Sequence, residues 1–440
     1  MTLTRLICLL ILVVPARVLA QPAPIRLTID DAVQRGFNTS HRLAEVKARE
    51  VGARAAVTSA ELAKLPVIGA SASYVRTNHV IEFFFPQPNG NRLVLYPDAP
   101  DNYATRLQFQ WPIFTSGRND ALERAAVAEA DAAAVDIDTT RADLRLEIVR
   151  AYWAAATARE TQRVLEESSA RAEAQLTDAR QRFDVGLIPP NEVSSLEAQR
   201  SRERALLIEA GNLREGSLIE LRRLIGAEPE TVIELAESLD AAAAPSVSGD
   251  VSGLVKQALA NRTERKALTR RLGGAEARQD AASTGNKPTV AFTGGYDYAN
   301  PNSRIFPRRE VWQKSWDIGV AVNWNFIDFG RARALAAEAA AVTNVTRERI
   351  AEFDSVVSAD VRQRLLDLDS NQAMVRAATD AVRSAAEARR VVTDRFGAGV
   401  ATSTDVLVAQ VALLESELTR TRALAGVRLA EARLQRVLGQ

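Results

Sequence analysis

The chain has 440 residues, 47% of them hydrophobic and 25% charged, which is enough for a sizeable core and unlike low-complexity disorder. Its 56 basic and 55 acidic residues give a net charge of +1, which argues against a nucleic-acid binder. One cysteine, Cys8, and two histidines, His41 and His79, supply no metal site of the usual Cys/His kind, and the low aromatic content of 5% beside abundant alanine suits long, closely packed helices.

In chain order, residues 1–20 are expected to be a secretory signal peptide. Arg5 gives the positive start, Leu6 to Val14 a short apolar stretch, and Val18-Leu19-Ala20 a cleavage site before Gln21. The apolar stretch is too short to cross about 30 Å of hydrocarbon as a helix. No later window holds 18 consecutive apolar residues, so any membrane crossing is expected to use strands.

An alternation of Ile68, Ala70, Ala72 and Tyr74 with small residues predicts the first strand. A polar, turn-rich loop from Pro86 to Asp101 follows, introduced by Phe83-Phe84-Phe85, which is read as a strand extension or loop-packing cluster ahead of a ligand contact. From Tyr103 to Trp111 the alternation resumes, with Leu107, Phe109 and Trp111 on one face and Arg106, Gln108 and Gln110 on the other. Arg118 to Phe183 then contains no Gly or Pro, and 66 residues of continuous helix would be ~99 Å long. Leu144, Ile148, Ala151 and Ala155, and later Ala172, Leu176, Ala179 and Phe183, step by four, three and four, a seam on which a second helix packs. A turn at Phe183-Asp-Val-Gly186-Leu187 leads to a return helix from about Asn191.

The second half repeats this. Trp111-Pro-Ile-Phe-Thr-Ser-Gly117-Arg118 matches Trp324-Asn-Phe-Ile-Asp-Phe-Gly330-Arg331 at an offset of 213, as do Arg182-Phe183 and Arg395-Phe396, while upstream Pro66 and Tyr74 match Pro288 and Tyr296 at 222. The pattern predicts strands at Val290–Tyr298 and Trp316–Trp324, the latter carrying Val320, Val322 and Trp324 on its apolar face, a second long helix from Arg331 to Phe396, a turn at Gly399-Val400 and a return helix from about Thr404. The organisation expected is a first repeat over residues 21–236, a linker over 237–250 and a second repeat over 251–440.

Four lipid-facing strands cannot close a barrel, and open edges are not tolerated in hydrocarbon, so several chains are expected to pool their strands; two, three or four copies give 8, 12 or 16. With the paired hairpins, the duplicated Trp…Gly-Arg lead-in to each long helix and the Arg-Phe-x-x-Gly turn, the chain resembles the outer-membrane factor family of TolC-like efflux and secretion ducts. That resemblance covers nearly the whole mature chain. It implies an α+β membrane protein: a homotrimer whose 12-stranded β-barrel, four strands per chain, accompanies a long α-helical coiled-coil barrel, in the bacterial outer membrane and extending into the periplasm. It implies as partners a periplasmic adaptor protein, an inner-membrane pump of RND or ABC type and outer-membrane lipid. It places Gly186, Leu187, Gly399 and Val400 at the adaptor-docking tips and Asp405 at a periplasmic constriction. The family's second aspartate, three residues later, is Val408 here. An acid such as Asp405, or Glu192 in the first half, is equally at home at a helix start through ordinary capping electrostatics.

No Gly-rich phosphate loop or nucleophile elbow occurs, so the sequence predicts no catalytic residues, no cofactor and no enzyme. The function expected is a passive exit duct of a tripartite efflux or type I secretion system. The alternative, a periplasmic coiled-coil scaffold or adaptor without a channel, is disfavoured by the Trp-rich alternating strand pairs.

Overall fold

The computed structural model describes residues 24–240 and 250–440. The expected signal peptide and most of the expected linker lie outside the described residues. A short strand β1 (Ile25–Leu27) leads into helices α1 (Ile29–Thr39) and α2 (His41–Leu62). Strand β2 (Val67–Arg76), a hairpin of β3 (Phe83–Pro86) and β4 (Arg92–Tyr96), and strand β5 (Asp101–Phe114) follow. The 67-residue helix α3 (Arg118–Asp184) turns into α4 (Pro190–Ile225), and β6 (Ile233–Leu235) comes next. The second half comprises α5 (Val251–Asn261), α6 (Thr263–Ala282), β7 (Thr289–Asn300), β8 (Gln313–Asn323), the 67-residue α7 (Arg331–Gly397) and α8 (Ser403–Val437).

The repeat recurs at the level of single bonds. The Trp111 indole donates to the Lys64 carbonyl at 3.1 Å, and the Trp324 indole donates to the Asn286 carbonyl at 2.9 Å. Each long helix is entered through the same left-handed pair, Ser116-Gly117 at φ 52 and 83 and Phe329-Gly330 at φ 52 and 90. Glycine takes this conformation without steric cost, which is why it ends the pair in both halves. One expectation is corrected here: Trp324 lies one residue past the end of β8, where the ladder stops at the Thr289–Asn323 pair.

The described chain falls into two compact units that cut across the sequence repeats. Among the described residues the first draws on 24–40, 145–240 and 369–432. In it β1 and β6 pair in parallel, and Thr28 starts α1 with a capping box to Asp31. Tyr152 is fully buried; its hydroxyl bonds to the Leu27 carbonyl at 3.1 Å and to the Glu237 carboxylate, and accepts from the Glu237 amide at 3.0 Å. Glu237, expected in the linker, is thus part of this core, and Arg159 fixes its carbonyl at 3.1 Å. Of the predicted seam, Leu176 and Ala179 of α3 pack against Leu196 of α4, whereas Phe183 at its end is exposed; outside it, Val164 and Leu165 pack against Ala210 and Leu414. Full burial of a leucine such as Leu176 contributes roughly 1.5–3 kcal/mol.

Among the described residues the second unit draws on 41–144, 250–368 and 433–440. Its four-stranded sheet has the order β2-β5-β7-β8, antiparallel throughout. Helix α6 lies between α3 and α7, with Arg271 paired to Asp136 of α3 and Arg265 bonded to Asp354 of α7 at 2.7 Å. Glu264 bonds to Arg262 at 2.9 Å and to Arg436, which reaches Asp143 at 2.7 Å.

Candidate functional site

The sheet has two chemically distinct faces, and its register shows why. Leu107 stands between Ala70 and Tyr296, Phe109 between Ile68 and Gly294, and Trp111 opposite Phe292, which is opposite Val320; Val322 pairs with Val290. Because side chains alternate along a strand, these residues share one face, apolar across all four strands. In the single chain that face is open to solvent: Leu107 is 52% exposed, Val320 62% and Val322 63%. Phe109 is half-buried against Phe292, ring centroids 5.8 Å apart. Aromatic rings gather at one end, Tyr74 on Tyr103 at 5.0 Å and Tyr298 stacked on Trp312 at 4.9 Å. Trp111 and Trp324 stand at the other end.

The opposite face is polar, and its pairing was not legible in the sequence. Ser71, Arg106, Asp297 and Ser315 form one row across the strands. Arg106 binds Asp297 at 2.8 Å and Asp317 at 3.2 Å, and Arg304 binds Asp317 at 2.8 Å. A Cβ at Gly295 would collide with the Arg106 guanidinium, so the glycine makes room for it. Both outer strands, β2 and β8, present a free edge among the described residues.

The two helical turns match each other. Gly186 and Gly399 both have φ 77. The Gly186 amide donates to Phe183 and that of Leu187 to Arg182, both at 2.8 Å; Gly399 donates to Phe396 at 3.0 Å and Val400 to Arg395 at 2.9 Å. This is the Schellman pattern of a helix closed by a left-handed glycine. Each turn leaves an apolar side chain in solvent, Leu187 at 71% and Val400 at 65% exposure. The matching phenylalanines differ: Phe183 is exposed, whereas Phe396 is buried under the Arg182 guanidinium, 4.7 Å from its ring centre.

Asp405 is exposed and sits in the first turn of α8. Its carboxylate accepts from the Thr402 amide at 2.9 Å and hydroxyl at 2.8 Å, and Thr402 accepts from the Asp405 amide at 3.2 Å, a complete capping box. Those bonds, the amide's first, hold the carboxyl below the usual aspartate range. Glu192 does not match it. Pro189 occupies the place of Thr402 and gives no side-chain cap, and the Glu192 Oε2 atom is buried without a hydrogen-bond partner. No group of three or more His, Cys, Asp or Glu among the described residues is placed to hold a metal ion, and no described helix is long and apolar enough to cross a membrane.

A sequence model of the family described as "Outer membrane efflux protein" matches residues 33–227 and 254–440. The chain is 26% identical over 371 residues to "Outer membrane protein TolC" of Vibrio cholerae, spanning 83% of this chain and 80% of that protein. Among solved structures, the outer membrane protein VceC of Vibrio cholerae superposes with a TM-score of 0.76 at 20% identity over 93% of this chain and 96% of that one. CusC, described with transmembrane channel formation, superposes with a TM-score of 0.79 at 15% identity over 96% of this chain and 95% of that one. At these identities the two structures establish a common fold.

Proposed function

Because the chain belongs to the outer membrane efflux protein family, and is thereby an outer-membrane exit duct for efflux or secretion, we propose that three copies pool their sheets into one twelve-stranded barrel. The observation that carries this reading is the sheet: four antiparallel strands with one apolar face, one polar face and two free edges. In hydrocarbon each unpaired backbone group costs several kcal/mol, so the edges must meet. With an even number of antiparallel strands, β8 runs opposite to β2. Thus β8 of one copy beside β2 of the next continues the antiparallel ladder until the ring closes.

In this assembly Leu107, Phe109, Trp111, Val320 and Val322 face lipid, Trp324 lies at the membrane boundary, and Arg106, Asp297 and Asp317 face water inside. Gly186, Leu187, Gly399 and Val400 form tips that meet a periplasmic adaptor, which engages an inner-membrane pump of RND or ABC type. Exposed apolar Leu187 and Val400 suit such a contact. The pump drives the cargo, and this chain performs no chemistry. Asp405, one from each copy, forms a ring of three carboxylates that narrows the pore and favours cations over anions. The capping bonds are compatible with that role, since the side chain remains exposed.

Detergent extraction of outer membranes followed by native mass measurement tests the assembly. A three-copy, heat-modifiable species is expected. A detergent-free soluble monomer in the periplasm would support the scaffold reading instead.

A further inference from the structure

We propose that residues 301–309, between β7 and β8, form a strap folded into the outer mouth of the passage, where Phe306 narrows the way and Arg304 holds the strap in place. The inference rests on the pooled-strand reading above, in which the face of Arg106, Asp297 and Asp317 lines the water-filled interior.

The long helices leave the sheet beyond Phe114 and Asn323, so Asp101, Asn300 and Gln313 stand at the opposite, outer end. A connection as long as residues 301–312 has length to spare for projecting away from the sheet. This one turns back over the polar face. Asn302 is 2% exposed; its side-chain amide donates to the Gln313 carbonyl and to the Ser315 hydroxyl, both at 3.0 Å, and its side-chain oxygen accepts from the Arg304 amide at 2.9 Å. Ser315 belongs to the polar row of Arg106 and Asp297, so the strap starts on the water-facing side. Arg304 then reaches down the sheet and binds Asp317 at 2.8 Å. Asp317 stands four residues along β8 from Gln313, a depth of about 13 Å at ~3.3 Å per residue. The same carboxylate receives Arg106 at 3.2 Å, which joins strap and sheet through one group.

The far end of the strap is fixed two strands away. The Arg308 guanidinium lies over the Tyr96 ring, 5.0 Å from its centre, and donates to the Tyr96 hydroxyl at 2.7 Å and to the Asn102 side-chain oxygen at 3.5 Å. The Arg308 amide donates to the Leu95 carbonyl at 3.3 Å. Asn102 alternates in step with Arg106 along β5 and shares its face. Anchors on β8 and β5, with β7 between them, lay the segment across the water-facing side of three strands. Between the anchors Phe306 is 71% exposed. An apolar ring kept in water by charged anchors on both sides gains nothing from packing within the chain. With three copies, three such rings approach the passage, and an apolar constriction there hinders water and ions more than a polar one of the same width. Arg304 acts through Asp317 on where Phe306 stands, and is a positioning residue.

Single-channel recording of the assembled protein tests this, since Cys8, in the expected signal peptide, is the sole natural cysteine. Phe306→Cys, treated from the outer side with a bulky, membrane-impermeant methanethiosulfonate, is expected to lose open-state current in up to three successive steps, one per copy, and to regain it in reductant. Phe306→Ala and Arg304→Gln are each expected to raise the open-state current, and Arg304→Lys, which keeps a cation for Asp317, to return it to the parent level. With Arg304→Gln added to Phe306→Cys, the same reagent is expected to block less, because the strap no longer holds position 306 in the passage. A conducting three-copy assembly whose Phe306→Cys is shown by mass to be modified, yet keeps its full current, overturns the constriction while leaving the exit-duct reading intact. Equal block with and without Arg304 overturns the positioning role. A parent protein that assembles and inserts but passes no current overturns the exit-duct reading, and the proposal with it.

Discussion

Thr402 and Pro189 stand at matching positions of the two halves, and Thr402 gives Asp405 a capping partner that Glu192 lacks. Only Thr402 offers a hydroxyl and an amide to the carboxylate. Since the folded Asp405 carboxyl lies below its usual 3.8, its stabilisation is present above that value and is lost as pH falls through the lower folded one. Asp405→Asn is expected to fray the start of α8, seen as faster amide exchange around Val406 at pH 7, with the difference from the parent fading in acid. Asp405→Ala is expected to lower cation selectivity in planar bilayers; unchanged selectivity in a correctly assembled trimer would leave the residue as a cap alone. Glu264 gives a second test. Burial alone would raise its carboxyl, but bonds from Arg262 and Arg436 bring it from 4.5 down to about 2. Glu264→Gln should therefore cost ~3 kcal/mol near neutral pH in denaturant unfolding, and the deficit should shrink as pH falls from 4.5 toward 2. The acid at the α8 start was legible because Thr402-x-x-Asp405 is a local pattern. Glu264 was not, because Arg436 lies 172 residues away in sequence.

At the scale of elements, long periodic segments were legible and short ones were not. The strand period of two and the 66-residue stretches without Gly or Pro gave β2, β5, β7, β8, α3 and α7 to within a few residues. β1 and β6, three residues each, carry too few positions for a period and pair across more than 200 residues of chain. Trp324 looked like a strand residue because it completes the alternation that begins at Trp316; β5 continues to Phe114, whereas β8 ends at Asn323. Leu107→Arg and Val320→Arg are each expected to hinder insertion by ~2–4 kcal/mol if the site lies near the bilayer midplane, measured as loss of assembled protein in outer membranes. Normal assembly of both would count against a lipid-facing sheet. At the helical turns, Leu187→Asp combined with Val400→Asp is expected to abolish efflux while trimer and membrane level stay unchanged. Retained efflux would remove the docking assignment.

At the scale of the whole molecule, the repeat was readable because Trp, Gly, Arg and Phe punctuate both halves at a constant offset, and punctuation survives where intervening residues change. Strand arithmetic alone did not give the number of copies, since it admits 8, 12 or 16 strands alike; three came only from the family resemblance. Single-channel recording from the purified assembly in planar bilayers tests the exit-duct claim most directly. The account predicts discrete current steps, with a larger closed-state conductance in Asp405→Ala. A correctly assembled and inserted three-copy protein that passes no current in either form would contradict it.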